Sequence, residues 1–445
     1  MAGTCVIEIN DAGLIVADTT GVRIVSPGYA VLAGRDLIVG EPAYACSRLN
    51  PRRTFDRFWE QLDQQPLARS AGPAQSHADL AYFHLHAVWD KCGGNDEALL
   101  VAPVTFGKHQ LALVLGIAQA CEIPVAGLVV APVAAASAVA GSQPRLHLDA
   151  QQHCLTATRI EADDGLRLGA VDVVAQRGLS ELRDLWAALI AERFVHATRF
   201  DPLHQAHTEQ LLYDRLPDWL AHLRTRATAR LELPGGLRNH HVDVSRAALL
   251  DAADGVYQPL ADLSAAAGKA LVLVSHRLAA LPGLIERLTE SCAVPPTVLS
   301  PEATTRAILA HADAIRSDPV APFFVTRLPG PIDGAQLPLS SQLSAARTAR
   351  PTHLLHRWRA YPIDQVPLVL DASAPRTCHP GETPAAIVVV RDGAALVQAG
   401  AAAGIRLNGE PMNGEAFLAV GDQLCVGEDG EQMRLIVLID PEQLR

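Results

Sequence analysis

Residues Leu100–Ser137 read LVAPVTFGKHQLALVLGIAQACEIPVAGLVVAPVAAAS, and their patterning decides the fold class. Leu99 to Pro103 is a short apolar run of strand type. Gly107 to Cys121 carries its apolar residues at helical spacing, and Ile123-Pro124 then opens a second apolar run, Gly127 to Val130, that leads into an alanine-rich helix from Pro132 to Val139. This alternation predicts a β-α-β unit, and so an α/β protein with helices laid on sheets. The segment Pro124–Gly141 is apolar for nearly the ~18 residues that a membrane helix needs. Pro124, Gly127 and Pro132 interrupt it and favour the buried strand and helix.

Two hairpins flank this unit. Cys5–Asn10 and Gly13–Ala17 are strand runs joined by the turn formers Asn10 to Gly13, and Leu146–Asp149 and Cys154–Glu161 are joined by Ala150 to His153. Their matching positions in the two halves of the chain imply internal duplication. A further strand pair is predicted at Val22–Val25 and Asp36–Val39, with helices at Thr54–Leu62, Leu80–Lys91, Leu179–Phe194 and Ala206–Ala229, the last bent or broken at Pro217. Leu231–Leu237 turns into the strand His240–Val244, Ser245 starts a helix to Asp254, Val256–Ala267 forms another, and Ala270–Val274 is a strand. Proline-rich Asp318–Pro367 reads as a connector, and the short strands beyond it, separated by Asp-Gly and Asn-Gly turns, predict a small β-sandwich.

Composition excludes several functions. With 37 Lys and Arg against 48 Asp and Glu the net charge is −11, and no basic run offers nucleic-acid phosphates a partner. An apolar share of 49% with 19% charged residues is that of a globular protein. Glu8 and Asp11 stand where a secretory signal would be basic, so a cytoplasmic chain is expected. The eight cysteines, at 5, 46, 92, 121, 154, 292, 378 and 425, show no C-x-x-C or zinc-ligand spacing and read as reduced fillers. Neither G-x-S-x-G, Walker A nor H-E-x-x-H occurs. Ser275-His276 has no acid partner identifiable in the sequence, and His240 and His241 would point to opposite faces of a strand, as surface residues rather than paired metal ligands.

The Leu100–Ser137 segment resembles the stretch of the 70-kDa heat-shock chaperones in which a strand ending in VPA leads through a helix and strand to NEPTAAA. Cys5–Asp18 (CVIEINDAGLIVAD), Leu146–Glu161 (LHLDAQQHCLTATRIE) and Lys269–Leu288 (KALVLVSHRLAALPGLIERL) resemble the family's first hairpin, second hairpin and adenosine segment, in the same order. Ser26–Trp59 and Ser300–Ile315 resemble the stretch after the first hairpin and the closing helix, so the resemblance covers about residues 4–316. It implies the actin-like ATPase fold of two duplicated, ribonuclease H-like lobes closing over a nucleotide. Expected are one lobe from 1–145 and 300–316, a second from 146–299, a connector over 317–365 and a forkhead-associated-like β module over 366–445.

The same resemblance places the family's site on positions that have changed. Its D-L-G-T-T turn falls on Glu8-Ile9-Asn10-Asp11-Ala12, so a close-approach glycine is Asn10 and a hydroxyl is the carboxylate of Asp11, which would repel phosphate. The D-L-G-G-G-T turn falls on Asp149-Ala150-Gln151-Gln152-His153-Cys154, replacing three glycines with bulky side chains, and the paired glycines of the adenosine segment fall on Ser275 and His276. Tyr44 stands for the family's lysine and Ala131 for its glutamate, the pair that supports γ-phosphate transfer. Glu8 and Asp149 alone retain the magnesium-orienting carboxylates. The expectation is an inactive, chaperone-related scaffold or adaptor with protein partners and no cofactor. One alternative is an atypical ATPase binding ATP and magnesium through Glu8 and Asp149. The other is a phosphopeptide reader in the C-terminal module, although Ala385–Leu407 holds only Arg391 and Arg406 as basic residues and no serine.

Overall fold

A computed structural model of the protein describes residues 3–93, 97–235, 238–317 and 324–330 and, nearer the C-terminus, 352–356, 359–363, 366–370, 375–378, 384, 386–391, 394–399, 404–408, 410–412, 414–418, 422–426 and 432–436. The chain divides into two compact units, Met1–Gln336 and Leu337–Arg445.

In the first unit, β1 (Thr4–Asn10), β2 (Gly13–Asp18) and β3 (Gly21–Pro27) form an antiparallel meander. β4 (Glu97–Ala102) and β5 (Val125–Val130) extend it from the other side of β1, both parallel. The second half repeats this, with β6 (Arg145–Ala150), β7 (Cys154–Glu161) and β8 (Leu166–Ala175) antiparallel, and β9 (Leu271–Val274) and β10 (Thr297–Val298) parallel to β6. Both six-stranded sheets thus have the order third, second, first, fourth, fifth strand of their own half, completed by β11 (Phe324–Val325) beside β5 in one and β12 (Arg327–Leu328) beside β8 in the other.

Helices follow the strands as the sequence pattern requires. α1 (His77–Cys92) begins in a capping box, with Ser76 accepting from the Asp79 amide, and ends at Gly93 in the left-handed region. α2 (Lys108–Ala120) connects β4 to β5, and α3 (Ala131–Ser137) leaves β5 with Pro132 in its first turn, where a proline costs no hydrogen bond. In the second half α4 (Leu179–Thr198), α5 (Ala206–Leu223) and α6 (Arg246–Ala266) lie between β8 and β9. One core packs on the outer side of each sheet, and a third, holding Val133 to Ala136 of α3, Val6 and Val101 of the first sheet and Ile160 and Leu273 of the second, joins the halves.

Several local expectations change. Val22–Val25 pairs with β2, while Asp36–Val39 pairs with Ala30–Ala33. The helix expected at Thr54–Leu62 is instead a short strand, Thr54–Phe55 on Ala30 and Val31, followed by turns. Its helical spacing came from Phe58, Trp59 and Leu62, which are buried here without a helix. α5 keeps Pro217 inside it, and one helix replaces the two expected between 246 and 266, with Pro259 inside. Packing of Leu212, Leu216 and Trp219, and of Val256, Tyr257 and Leu260, holds these backbones helical across the prolines. Pro124–Gly141 forms β5 and α3, and no helix among the described residues is long and apolar enough to cross a membrane. Residues 331–351 of the expected connector lie outside the described residues, but its two ends form strands: β11 and β12 join the first unit, and His353–His356 and Arg359–Pro362 belong to the second.

The second unit is all β where described: a six-stranded and a five-stranded antiparallel sheet share one core that includes Leu354, Leu368, Val388, Val397, Ile405, Leu424 and Leu435. Asn408 adopts φ 53°, and its side chain accepts from the Gln423 amide at 2.9 Å and donates to Asp422 at 2.9 Å, fixing the turn to the facing strand.

Candidate functional site

Strand alternation builds the site. In β1, Cys5, Ile7 and Ile9 pack into the outer core of the first half, leaving Glu8 and Asn10 on the opposite face. In β6, Leu146, Leu148 and Ala150 do the same in the second half and turn Arg145, His147 and Asp149 inward. Because both sheets are covered on both faces, these polar residues are buried, with Glu8 at 7% and Asp149 at 8% exposure. The ends of the two hairpins meet where these faces converge.

Arg277, in the single turn His276–Ala279 (α7), enters between them. Its Nη2 donates to Glu8 Oε1 at 2.8 Å, and its Nη1 lies 3.6 Å from Asp149 Oδ1. Burial works against the charge on Arg277, but the Glu8 and Asp149 carboxylates outweigh it and hold the guanidinium further protonated than usual. Burial likewise pushes Asp149 up, and is overcome by Arg277, His147 and a hydrogen bond from Ser275, so Asp149 sits below its ordinary pKa. Ser275 lines the same cavity as Asp149 and caps α7 by accepting from the Leu278 amide at 3.4 Å. Burial lowers the pKa of both His147 and His276.

The hairpin turns are joined directly. The Asp11 carboxylate accepts from the backbone amides of Gln152 and of His153, the latter at 3.3 Å. Burial pushes Asp11 up to about 6, opposed by those two amides and by His153. Asn10 Nδ2 reaches Asp149 Oδ2 and the Ala150 carbonyl, each at 3.4 Å. Gln152 donates to the Tyr29 hydroxyl at 2.6 Å, Gln151 contacts Thr105 at 3.3 Å, and His153 lies between the Asp56 carbonyl at 3.2 Å and Glu181 at 3.4 Å. Gly178, ahead of α4, allows this turn to pack, since a Cβ there would lie 2.5 Å from the His153 amide nitrogen.

The structure thus gathers Glu8, Asn10, Asp11, Asp149, Gln151, Gln152, His153, Ser275 and His276 into one neighbourhood. Ala131 lines it, next to two cavities on either side of Asp149 of about 10 Å³ each, room for one water molecule. Tyr44 stands apart, its ring edge-on to Tyr29 at 5.1 Å and its carbonyl accepting from Gln210 at 3.4 Å. Arg277, Tyr29 and Thr105 complete the site without a cue in the local motifs. Among the described residues no group of three or more His, Cys, Asp and Glu is placed to hold a metal ion. A cation at Glu8 and Asp149 would have to displace the guanidinium. Elsewhere His240 stacks on Phe200 at 4.5 Å while His241 faces Glu232 at 3.6 Å on the surface.

The fold and site together define an α/β protein of two topologically repeated halves meeting at a buried, self-paired polar centre. Compared with protein-family models and with curated protein sequences, the chain matches none.

Proposed function

We propose that the chain is a catalytically inactive relative of the actin and 70-kDa heat-shock chaperone superfamily that works as a scaffold or adaptor through protein–protein contacts. Supporting the fold assignment are the repeated strand order of the two sheets and the two hairpins meeting at the junction of the halves. One observation carries the loss of activity: the Arg277 guanidinium sits between Glu8 and Asp149, where the resemblance would put magnesium and phosphate, and the two cavities lined by Glu8 and Asp149 are about 10 Å³ each. Asp11 occupies backbone amides that a phosphate would need. With Tyr44 and Ala131 in place of the family's lysine and glutamate, the pair that supports γ-phosphate transfer in that family is missing.

An ATP-binding alternative requires Arg277 to leave two carboxylates in a buried site. The phosphopeptide alternative would have to rest on the exposed Arg406, since Arg391 pairs with Glu415 at 3.2 and 3.3 Å, and no serine accompanies it in Ala385–Leu407. Calorimetric titration of the full-length protein with millimolar ATP-magnesium tests the reading. It predicts no heat of binding and no change in melting temperature; a rise of several degrees would favour the ATP-binding alternative, because a ligand of the native state stabilises it by mass action.

A further inference from the structure

The two halves of the first unit are tied at two separate levels. At the base are the Arg277 pair with Glu8, steadied by Asp149 from the same half as Arg277, and the Asp11 contacts to the Gln152 and His153 amides. At the rim, the loop after Glu41–Tyr44 in the first half meets α4 and α5 of the second. The Arg48 amide donates to Gln210 Oε1 at 2.8 Å, its guanidinium donates to Asp184 at 2.8 Å, and the same group lies 3.7 Å from the centre of the Tyr213 ring. Tyr213 in turn donates to Asp184 at 2.5 Å.

We infer that these groups are a built-in closure lock, in which Asp11 serves as an internal anion on the second hairpin's amides and Arg277 as an internal cation between the two carboxylates, so that the halves stay closed with no ligand between them. Burying charge is costly unless partners are fixed around it. Asp11 is 2% exposed and the side chain of Arg277 11%; Asp11 meets its amides and Arg277 meets Glu8 across the boundary, while Asp149 holds Arg277 from its own half. Opening would hydrate these groups and break the Arg277–Glu8 pair and the Asp11 contacts together, which makes closure all-or-none rather than graded. Base and rim share no residue, yet both close the same junction, so loosening one should loosen the other. The inference rests on the inactive reading only in taking the occupants of the junction to be permanent.

Amide hydrogen exchange on the full-length, nucleotide-free protein tests it. The amides of Gln152, His153 and Arg48 should exchange at least a hundredfold more slowly than in an unstructured chain, and at the same rates with millimolar ATP-magnesium. Arg277→Met should speed exchange at Arg48 by tenfold or more while Ile7 and Leu148 stay protected. Should that variant lose protection at Ile7 as well, Arg48→Met replaces it, and its Gln152 and His153 amides should then exchange at least tenfold faster. Free exchange at these amides in the wild type, slowing of Arg48 exchange by ATP-magnesium, or a folded variant whose far-end rates do not move would each overturn the lock. Heat of ATP binding with unchanged rates would contradict the inactive reading and leave the lock standing.

Discussion

Without Arg277, Glu8 and Asp149 would share a buried site with no countercharge. Removing one member of a buried ionic group typically costs about 3–5 kcal/mol, most of it the penalty on the charges left behind, so Arg277→Met should destabilise by about that amount in denaturant unfolding at pH 7. The dependence on pH has a definite sign. Asp149 is held below its ordinary pKa of 3.8, so its stabilisation is full above that value and is lost as pH falls through the lowered one. In the variant Asp149 loses its cation and rises in pKa, so protonation relieves it earlier. The gap between wild type and variant should therefore be widest near pH 7 and narrow towards pH 4; a constant gap would mean that Arg277 stabilises by packing alone. This residue was hard to find in the sequence because its partners lie 269 positions away at Glu8 and on another strand at Asp149. In VSHRLAAL the arginine stands beside a serine and a histidine in no motif that marks it for a buried pair. Asp11 was legible as a charge, but not as an acceptor, because the amides it meets belong to the other hairpin.

At the scale of elements, α1 is anchored to its surroundings by one buried polar chain. The Trp59 indole N–H donates to His84 Nδ1 at 3.0 Å, and His84 Nε2 lies 2.8 Å from the Ser26 hydroxyl on β3. An indole nitrogen can only donate, so the ring proton sits on Nε2 and is given to Ser26. This Ser–His pair consequently has no base to offer and is structural. Burial, with Lys91 nearby, lowers the His84 pKa to about 3. The ring remains neutral in the folded protein while the unfolded chain takes up a proton below about 6.5, so this site's stability is present above pH 6.5 and is lost as pH falls towards 3. Between pH 6 and 4 the wild type should lose about 1.4 kcal/mol per pH unit more than His84→Gln does; equal slopes would contradict this assignment. Periodicity alone placed α1, because Leu80, Ala81, Leu85 and Val88 share its buried face, and His84 lies on that same face. It could not place Thr54–Phe55, where pairing with Ala30 and Val31 overrode a helical spacing of large apolar residues.

At the scale of the molecule, the duplication could be read from two hairpins because turn formers punctuate apolar alternation in each half, and the sheets repeat strand order as well as direction. What the pattern could not supply was the closure of the halves on each other, since every contact that makes it joins segments remote in sequence. The central claim, that the protein's own side chains fill the junction, is tested most directly by a crystal structure of the full-length protein grown in millimolar ATP-magnesium. Arg277 should still bridge Glu8 and Asp149, with the Asp11 carboxylate on the Gln152 and His153 amides. Density for a nucleotide seated between the two hairpins, with Arg277 swung away, would contradict the account.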